Sequence, residues 1–314
     1  MTSGIWIGLL VLNKFLVYLG VSAAFSIICV YLYIPAASLE NVDKVAMRWR
    51  HTICKVAMVL VIIGFIANVV DFFVQTGNFA ENGVKGMFEP IILNMMWASS
   101  VGTLAMTRAI AFGLSFALLT LILIRPLFLT SRLNQWIFGT LTLLVIIGLS
   151  TSFTLSGHTN ALVFGSVSLI TFHVAMSFAW LGALIPLVRA TYIFEGETLH
   201  FVMERFGRFA GWGVAILVIA AVSMLIQFVP TLESLYTSRY GQVFILKIAL
   251  VLLLLLFAVT HKFVLVPRIL SREDGAVALR RSIMVETFVG FLILFVTSVV
   301  TTVMGPPLLA SQLI

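Results

Sequence analysis

Two imidazoles stand in a stretch that otherwise avoids polarity. The run SGHTNALVFGSVSLITFHVAMSFAWLGAL, Ser156 to Leu184, carries His158 and His173. A histidine in such a setting is either a hydrogen-bonded core residue or a ligand to a metal or to haem iron. Thr159, Ser166, His173 and Trp180 recur at seven-residue steps, with Ser177 one turn beyond His173. On a helix this spacing draws one polar stripe. His173 then falls near mid-depth, and His158 precedes the helix at its outer mouth. An unbroken helix would hold them about 22 Å apart, too far to share one small ion. They read as an entrance and an inner station on one path.

Methionine adds softer donors. Met87, Met95 and Met96 fall in one outer connection, while Met106, Met176, Met224 and Met304 lie within or at the ends of apolar runs. Thioethers and imidazoles suit copper, Cu(I) above all. Any one methionine is equally at home as apolar filler. Cys29 and Cys54 fall near the opposite face, where thiols would continue a gradient of softer sites inward, and no disulfide is expected between them. His51, His200 and His261 read as solvated loop or interface residues.

Charged side chains inside apolar runs cost energy, about 2.5–3.5 kcal/mol each at mid-bilayer on insertion scales. Lys14, Asp71, Arg108, Lys247 and Glu286 occupy such places, the last near the inner end of its run. They are expected either to pair, Asp71 with Arg108 for example, or to line a polar outer vestibule. Two cations beside a route for a positive ion are awkward unless Asp71 and Glu286 neutralise them.

The elements that must hold these residues follow from composition. The chain has 314 residues, 61% hydrophobic and 10% charged, against about 25% charged in soluble domains. The class is all-α and polytopic. Eight runs reach the roughly 20 residues a spanning helix needs, near 11–35, 53–75, 101–124, 133–155, 161–188, 206–229, 240–264 and 281–304. The N-terminal MTSGIWIGLLVLNK lacks a basic start and reads as part of the first span rather than a cleaved signal. Lys and Arg concentrate in the first, third, fifth and seventh connections, which places both termini in the periplasm of a bacterium. The net charge of +7 is spread over these loops and forms no nucleic-acid patch. Phosphate loops, nucleophile elbows and zinc-protease helices are absent from the sequence.

The chain reads as a single membrane domain, 1–314, built of two halves. SSVGTLAMTRAIAFGLSFALL (Ser99–Leu119) and SRYGQVFILKIALVLLLLLFA (Ser238–Ala258) each carry a glycine followed six residues later by a cation, Gly102 to Arg108 and Gly241 to Lys247. Pro35 and Pro186 likewise end the first and fifth spans. Halves 1–155 and 156–314, of four helices each, would be parallel repeats, with a substrate site expected between them. A segment about 85–98 is expected to lie in the interface.

The run SGH, then FH, then WLGALIPL is similar to the signature of the copper resistance protein D (CopD) family. YGQVFILKIALVL (Tyr240–Leu252) resembles that family's Tyr-Gly…Lys segment, and LRRSIMVETFVGFLILFVTSVVTTVMGPP (Leu279–Pro307) resembles its last helix. The resemblance implies an eight-helix inner-membrane protein that handles copper ions as its substrate, beside a separate periplasmic copper chaperone. It carries His158, His173 and Trp180 over as site positions, with Lys247 and Glu286 as supports. Ala183 departs from the family's Gly-Gly, and His261-Lys262 stands where Asn-Arg is common.

The leading expectation is copper transport, inward, down a potential that gains about 2.3 kcal/mol per 100 mV per charge. His158 with Met87, Met95 and Met96 would capture the ion. His173 with Met176 and Met224 would replace its water midway. Trp180, Asp71, Arg108, Lys247 and Glu286 would gate or support the route. The runner-up is a haem b redox protein, because a histidine ahead of Trp-x-Gly is also similar to the HemJ-type protoporphyrinogen oxidase family, with Arg108 and Lys247 facing haem propionates. A third option is a membrane docking partner for the chaperone.

Overall fold

The computed structural model describes residues 2–32, 40–125, 128–155, 164–228, 236–237 and 239–303. All regular structure among them is helical. In chain order the helices are α1 (Thr2–Leu32), α2 (Glu40–Ala80), α3 (Gly83–Gly86), α4 (Pro90–Ala98), α5 (Ser100–Ile124), α6 (Arg132–Ser152), α7 (Phe164–Ile193), α8 (Gly196–Phe228), α9 (Arg239–Thr260), α10 (Val266–Ser271) and α11 (Gly275–Val303). Eight runs are long and apolar enough to cross a membrane. In hydrocarbon the backbone must bond to itself, and a helix does this within one segment. The protein is a multi-pass membrane protein.

The helices run further than the apolar windows. α1 begins at Thr2, so Lys14 lies well inside it, where its Nζ donates to the carbonyl of Thr301 at 3.0 Å, near the C-terminal end of α11. A cation suits that end of a helix, where carbonyls lack partners. α2 starts at Glu40, so Lys44, Arg48 and Arg50 ride on its first turns rather than in a loop. Arg205 and Arg208 belong to α8, and Arg280 and Arg281 to α11. Long basic side chains reach water from a helix end, so the helix need not stop where the charges begin. The basic residues expected in connections are thus carried largely on helix ends. α11 starts at Gly275, which sets Glu286 about 16 Å along it. Glu286 therefore lies about three turns into α11.

α1 runs through the middle of the bundle. Val17, Val21, Phe25 and Ile27 on it are fully buried. It packs on α2, α5 and α6 on one side and on α7 and α11 on the other. Its crossing with α2 is backbone on backbone: a Cβ on Gly20 would stand 2.5 Å from the Cα of Gly64. Only paired glycines admit that approach. In the second half α7 packs on α8 and α11, and α9 on α11. α8 and α9 bury little, and Trp212, Ile219, Leu252 and Leu256 project outward as a lipid-facing surface should.

α9 and α10 form one continuous helical rod joined by a π-type turn, His261–Leu265. Pro267 follows that turn and has no N–H for the preceding carbonyls. The wider turn re-registers the rod around this loss.

Candidate functional site

The α7 stripe ends on a hydrogen-bonded chain that crosses to α11 and to the π turn. Trp180 Nε1 donates to Glu286 Oε1 at 2.8 Å. The other carboxylate oxygen of Glu286 lies 3.2 Å from His261 Nδ1, and His261 Nε2 lies 2.7 Å from the hydroxyl of Ser282. Glu286 is only 3% exposed. A buried carboxylate survives when partners satisfy it, and here an indole N–H and an imidazole do so. The π turn belongs to this arrangement, because His261 is its first residue.

This corrects one sequence-level reading. His261 is not a solvated interface residue: its side chain is 14% exposed and paired. The run 240–264 ends only three residues past His261, yet FVLV carries it on to Val266. That apolar continuation was the signal that His261 lies within the span.

Above Trp180, His173 and Met176 lie one turn apart on the same side of α7, with Ser177 donating to the His173 carbonyl at 2.8 Å. The Nδ1 of His173 is buried and makes no hydrogen bond. Buried imidazole nitrogens are normally satisfied, and this one is an exception. The sulfur of Met176 sits against the bare backbone of α8 at Gly213, where an added Cβ would stand 3.5 Å from it. Lys247 on α9 is close enough for its charge to act on His173. Met224 lies on α8, but its side chain is outside the described residues, and His158 lies outside them altogether.

α7 is pinned from below. Trp49 Nε1 donates to the Pro186 carbonyl at 3.0 Å. Arg280 donates to the Thr191 carbonyl at 2.6 Å and stacks 3.8 Å over the ring of Tyr192, again a cation at a helix C-terminus. Gly182 meets α1, where any Cβ would strike the Ser22 carbonyl, whereas Ala183 is accommodated at 1% exposure. The departure Ala183 falls on the position that has room.

The first half holds a separate polar cluster. Asp71 and Arg108 do not form the expected ion pair. Arg108 Nε donates to Ser152 at 3.0 Å and its guanidinium lies 4.6 Å from the Phe153 ring centre. Asp71 Oδ2 accepts from Gln75 at 2.6 Å, and its Oδ1 is buried without a partner. Arg108 and Lys14 reach Asp71 only through space. A neutral amide one helical turn away outcompetes a guanidinium that is already engaged across the bundle.

The outer methionines face different ways. Met87 packs where Gly77 and Trp6 meet, Met96 is buried with Phe72 and Ala105, and Met95 is exposed. Among the described residues no three His, Cys, Asp or Glu side chains converge as a metal site. An apolar crevice between α1, α2 and α7, lined by Ser22, Ser26, Ala57 and Gly182, includes none of the stripe residues.

The family model for copper resistance protein D matches residues 201–300. That segment is similar to the CopD family. The matched segment holds Lys247, His261 and Glu286; His173 and Trp180 lie ahead of it. The inner membrane protein YebZ of Escherichia coli (strain K12) is 30% identical over 110 residues, 33% of this chain and 37% of YebZ. The copper transport protein CutJ of Bacillus subtilis (strain 168) is 23% identical over 243 residues, 74% of this chain and 42% of CutJ. The chain thus spans about two fifths of the length of each curated relative it matches. No solved structure matches. The CopD segment and CutJ both point to a copper-related membrane protein, and neither name points to haem.

Proposed function

We propose that this chain moves copper ions across the bacterial inner membrane, inward from the periplasm, by way of the α7 stripe. The observation that carries the reading is the unpartnered, buried Nδ1 of His173, one turn from the Met176 thioether. An imidazole and a thioether are a soft, neutral pair suited to Cu(I). Two donors hold an ion less firmly than a closed site, which suits a station an ion must leave. His158 and the exposed Met95 are the proposed outer donors. Trp180, fixed by Glu286, is the proposed floor of the station.

Adjacency in the two halves supports their reading as repeats. α1 packs on α2 and α6 as α7 packs on α8 and α11, and α5 packs on α6 as α9 packs on α11. In this scheme Arg108 and Lys247 are equivalents, and the ion passes on the side of the second half. The copper named for CutJ and the inner membrane named for YebZ supply the cargo and the location. A separate periplasmic chaperone is the proposed donor.

The test is copper uptake into vesicles holding the full chain. His173→Ala should lower the rate on the order of tenfold or more, as losing one ligand worth about 1.4 kcal/mol would. Purified protein should lose bound copper in parallel. Unchanged uptake in His173→Ala would remove the stripe from the mechanism.

A further inference from the structure

The apolar crevice between α1, α2 and α7 takes no part in the stripe. It is walled by Ile53, Val56 and Leu60 of α2 and by Leu181 and Pro186 of α7, with Phe291 of α11 on its rim. Buried Ser22 and Ser26 of α1 form its floor, and both hydroxyls donate within their own helix, to the carbonyls of Tyr18 at 2.9 Å and Ala23 at 2.6 Å. Val56 and Phe291 are exposed. Inside a spanning segment an exposed apolar side chain faces lipid, so the crevice opens to the bilayer. The seven residues from Ile53 to Leu60 make it about 10 Å long. Its length and polarity fit a stretch of hydrocarbon chain.

One end of the crevice carries charge. Gly182, Pro186 and Arg189 follow one another at helical steps of four and three, so they share a side of α7. Arg189 stands one turn past Pro186, toward the junction with α8. Helical side chains lean toward the N-terminus, which carries Arg189 back over the Pro186 turn. Its Nε is buried and makes no hydrogen bond. Among the described residues no carboxylate pairs with it, and Glu286 of the neighbouring α11 is held by Trp180 and His261. On the opposite wall Trp49 donates to the Pro186 carbonyl at 3.0 Å. The next residue, half-buried Arg50, lies one turn from Ile53 and brings a second positive charge to the same end.

We propose that this crevice binds one anionic phospholipid, with an acyl chain between α2 and α7 and the phosphodiester on Arg189. A guanidinium presents paired donors that match phosphate oxygens, and Arg50 adds attraction for a net negative headgroup. The charge asymmetry of the chain assigns this end to the cytoplasmic leaflet. Basic pockets between spanning helices on that side are where anionic headgroups bind. The site stands apart from the copper station, and its occupancy does not depend on the transport reading.

The test uses the full chain in detergent, stripped of lipid and then returned to mixed micelles of phosphatidylglycerol or phosphatidylcholine. Lipid retained through gel filtration is counted by mass spectrometry. The wild type should keep phosphatidylglycerol on the order of tenfold better than phosphatidylcholine, as one charge-assisted contact allows. Arg189→Gln should lower that retention about tenfold, and Arg189→Lys should restore part of it. Val56→Trp fills the mouth from an exposed position and should also lower it. Arg272→Gln, at an exposed arginine away from the crevice, should leave it unchanged. Free inorganic phosphate should not compete, because it lacks the chain; competition would reassign the site to a phosphate ion and overturn the proposal. Equal retention of the two lipids by the wild type would mean boundary lipid only and would overturn it whether or not the variants fold. Retention unaffected by either Arg189→Gln or Val56→Trp, or lost equally in Arg272→Gln, would overturn it as well.

Discussion

Trp180 does two jobs with one side chain. Its ring belongs to the α7 packing surface against the core, and its N–H satisfies Glu286. Trp180→Phe keeps most of the ring and removes the donor. A buried carboxylate oxygen is then left short of a partner, at a cost of about 1–3 kcal/mol. The melting temperature in detergent should fall, and Glu286→Gln should restore part of it because an amide tolerates burial better than a charge. A Trp180→Phe protein that melts like the wild type would mean that water replaces the indole. The residue scale is also where sequence reading reached least far. His173, Trp180 and Glu286 stood out because polar side chains are scarce in apolar runs. That Trp180 bonds Glu286, and that Asp71 turns to Gln75 rather than Arg108, depends on side-chain directions no spacing encodes. Residues 106 positions apart meet only when the helices carrying them do.

At the scale of elements, the position of α7 is set by what cannot be added to it. Gly182 faces the Ser22 carbonyl of α1, and Gly290 of α11 faces Leu181, where a Cβ would stand 2.6 Å from its Cδ2. Gly182→Ala should cost about 1–3 kcal/mol through overpacking and push α7 off α1. Ala183→Gly should cost about 1 kcal/mol, the backbone penalty of a helical glycine. Unfolding of the two variants in detergent checks the order. Equal stabilities would show that α1 yields at Ser22. The helices themselves were legible, because hydrophobic length is a strong signal and a backbone in lipid has few options. Their ends were not. Snorkelling basic residues carry a helix past its apolar window, and hydropathy registers only the window. The π turn was also hidden, since a proline by itself specifies a lost donor and not how the rod repairs it.

For the whole molecule, charge asymmetry predicts that both termini and the α2–α5 connection face the periplasm. In a chain with Cys29→Ala and Cys54→Ala, a cysteine placed at Lys85 should react with an impermeant thiol reagent in intact cells. One placed at Arg272 should react only after the membrane is opened. The reverse pattern would invert the molecule and the direction proposed for copper. Both native cysteines are buried, so their removal also tests whether thiols matter on the inner side. The sequence by itself determined a polytopic helical protein of eight spans, its CopD resemblance, and a short set of residues too costly to be idle. Those conclusions rest on transfer free energy and helix length, which are local properties of a chain in a membrane. Tertiary structure decided which residues act together. It brought His261 into the interior, joined it to Glu286 and Trp180, and parted Met87, Met95 and Met96. Partner choice depends on how helices rotate and cross, and that is settled by close packing between segments far apart in the chain.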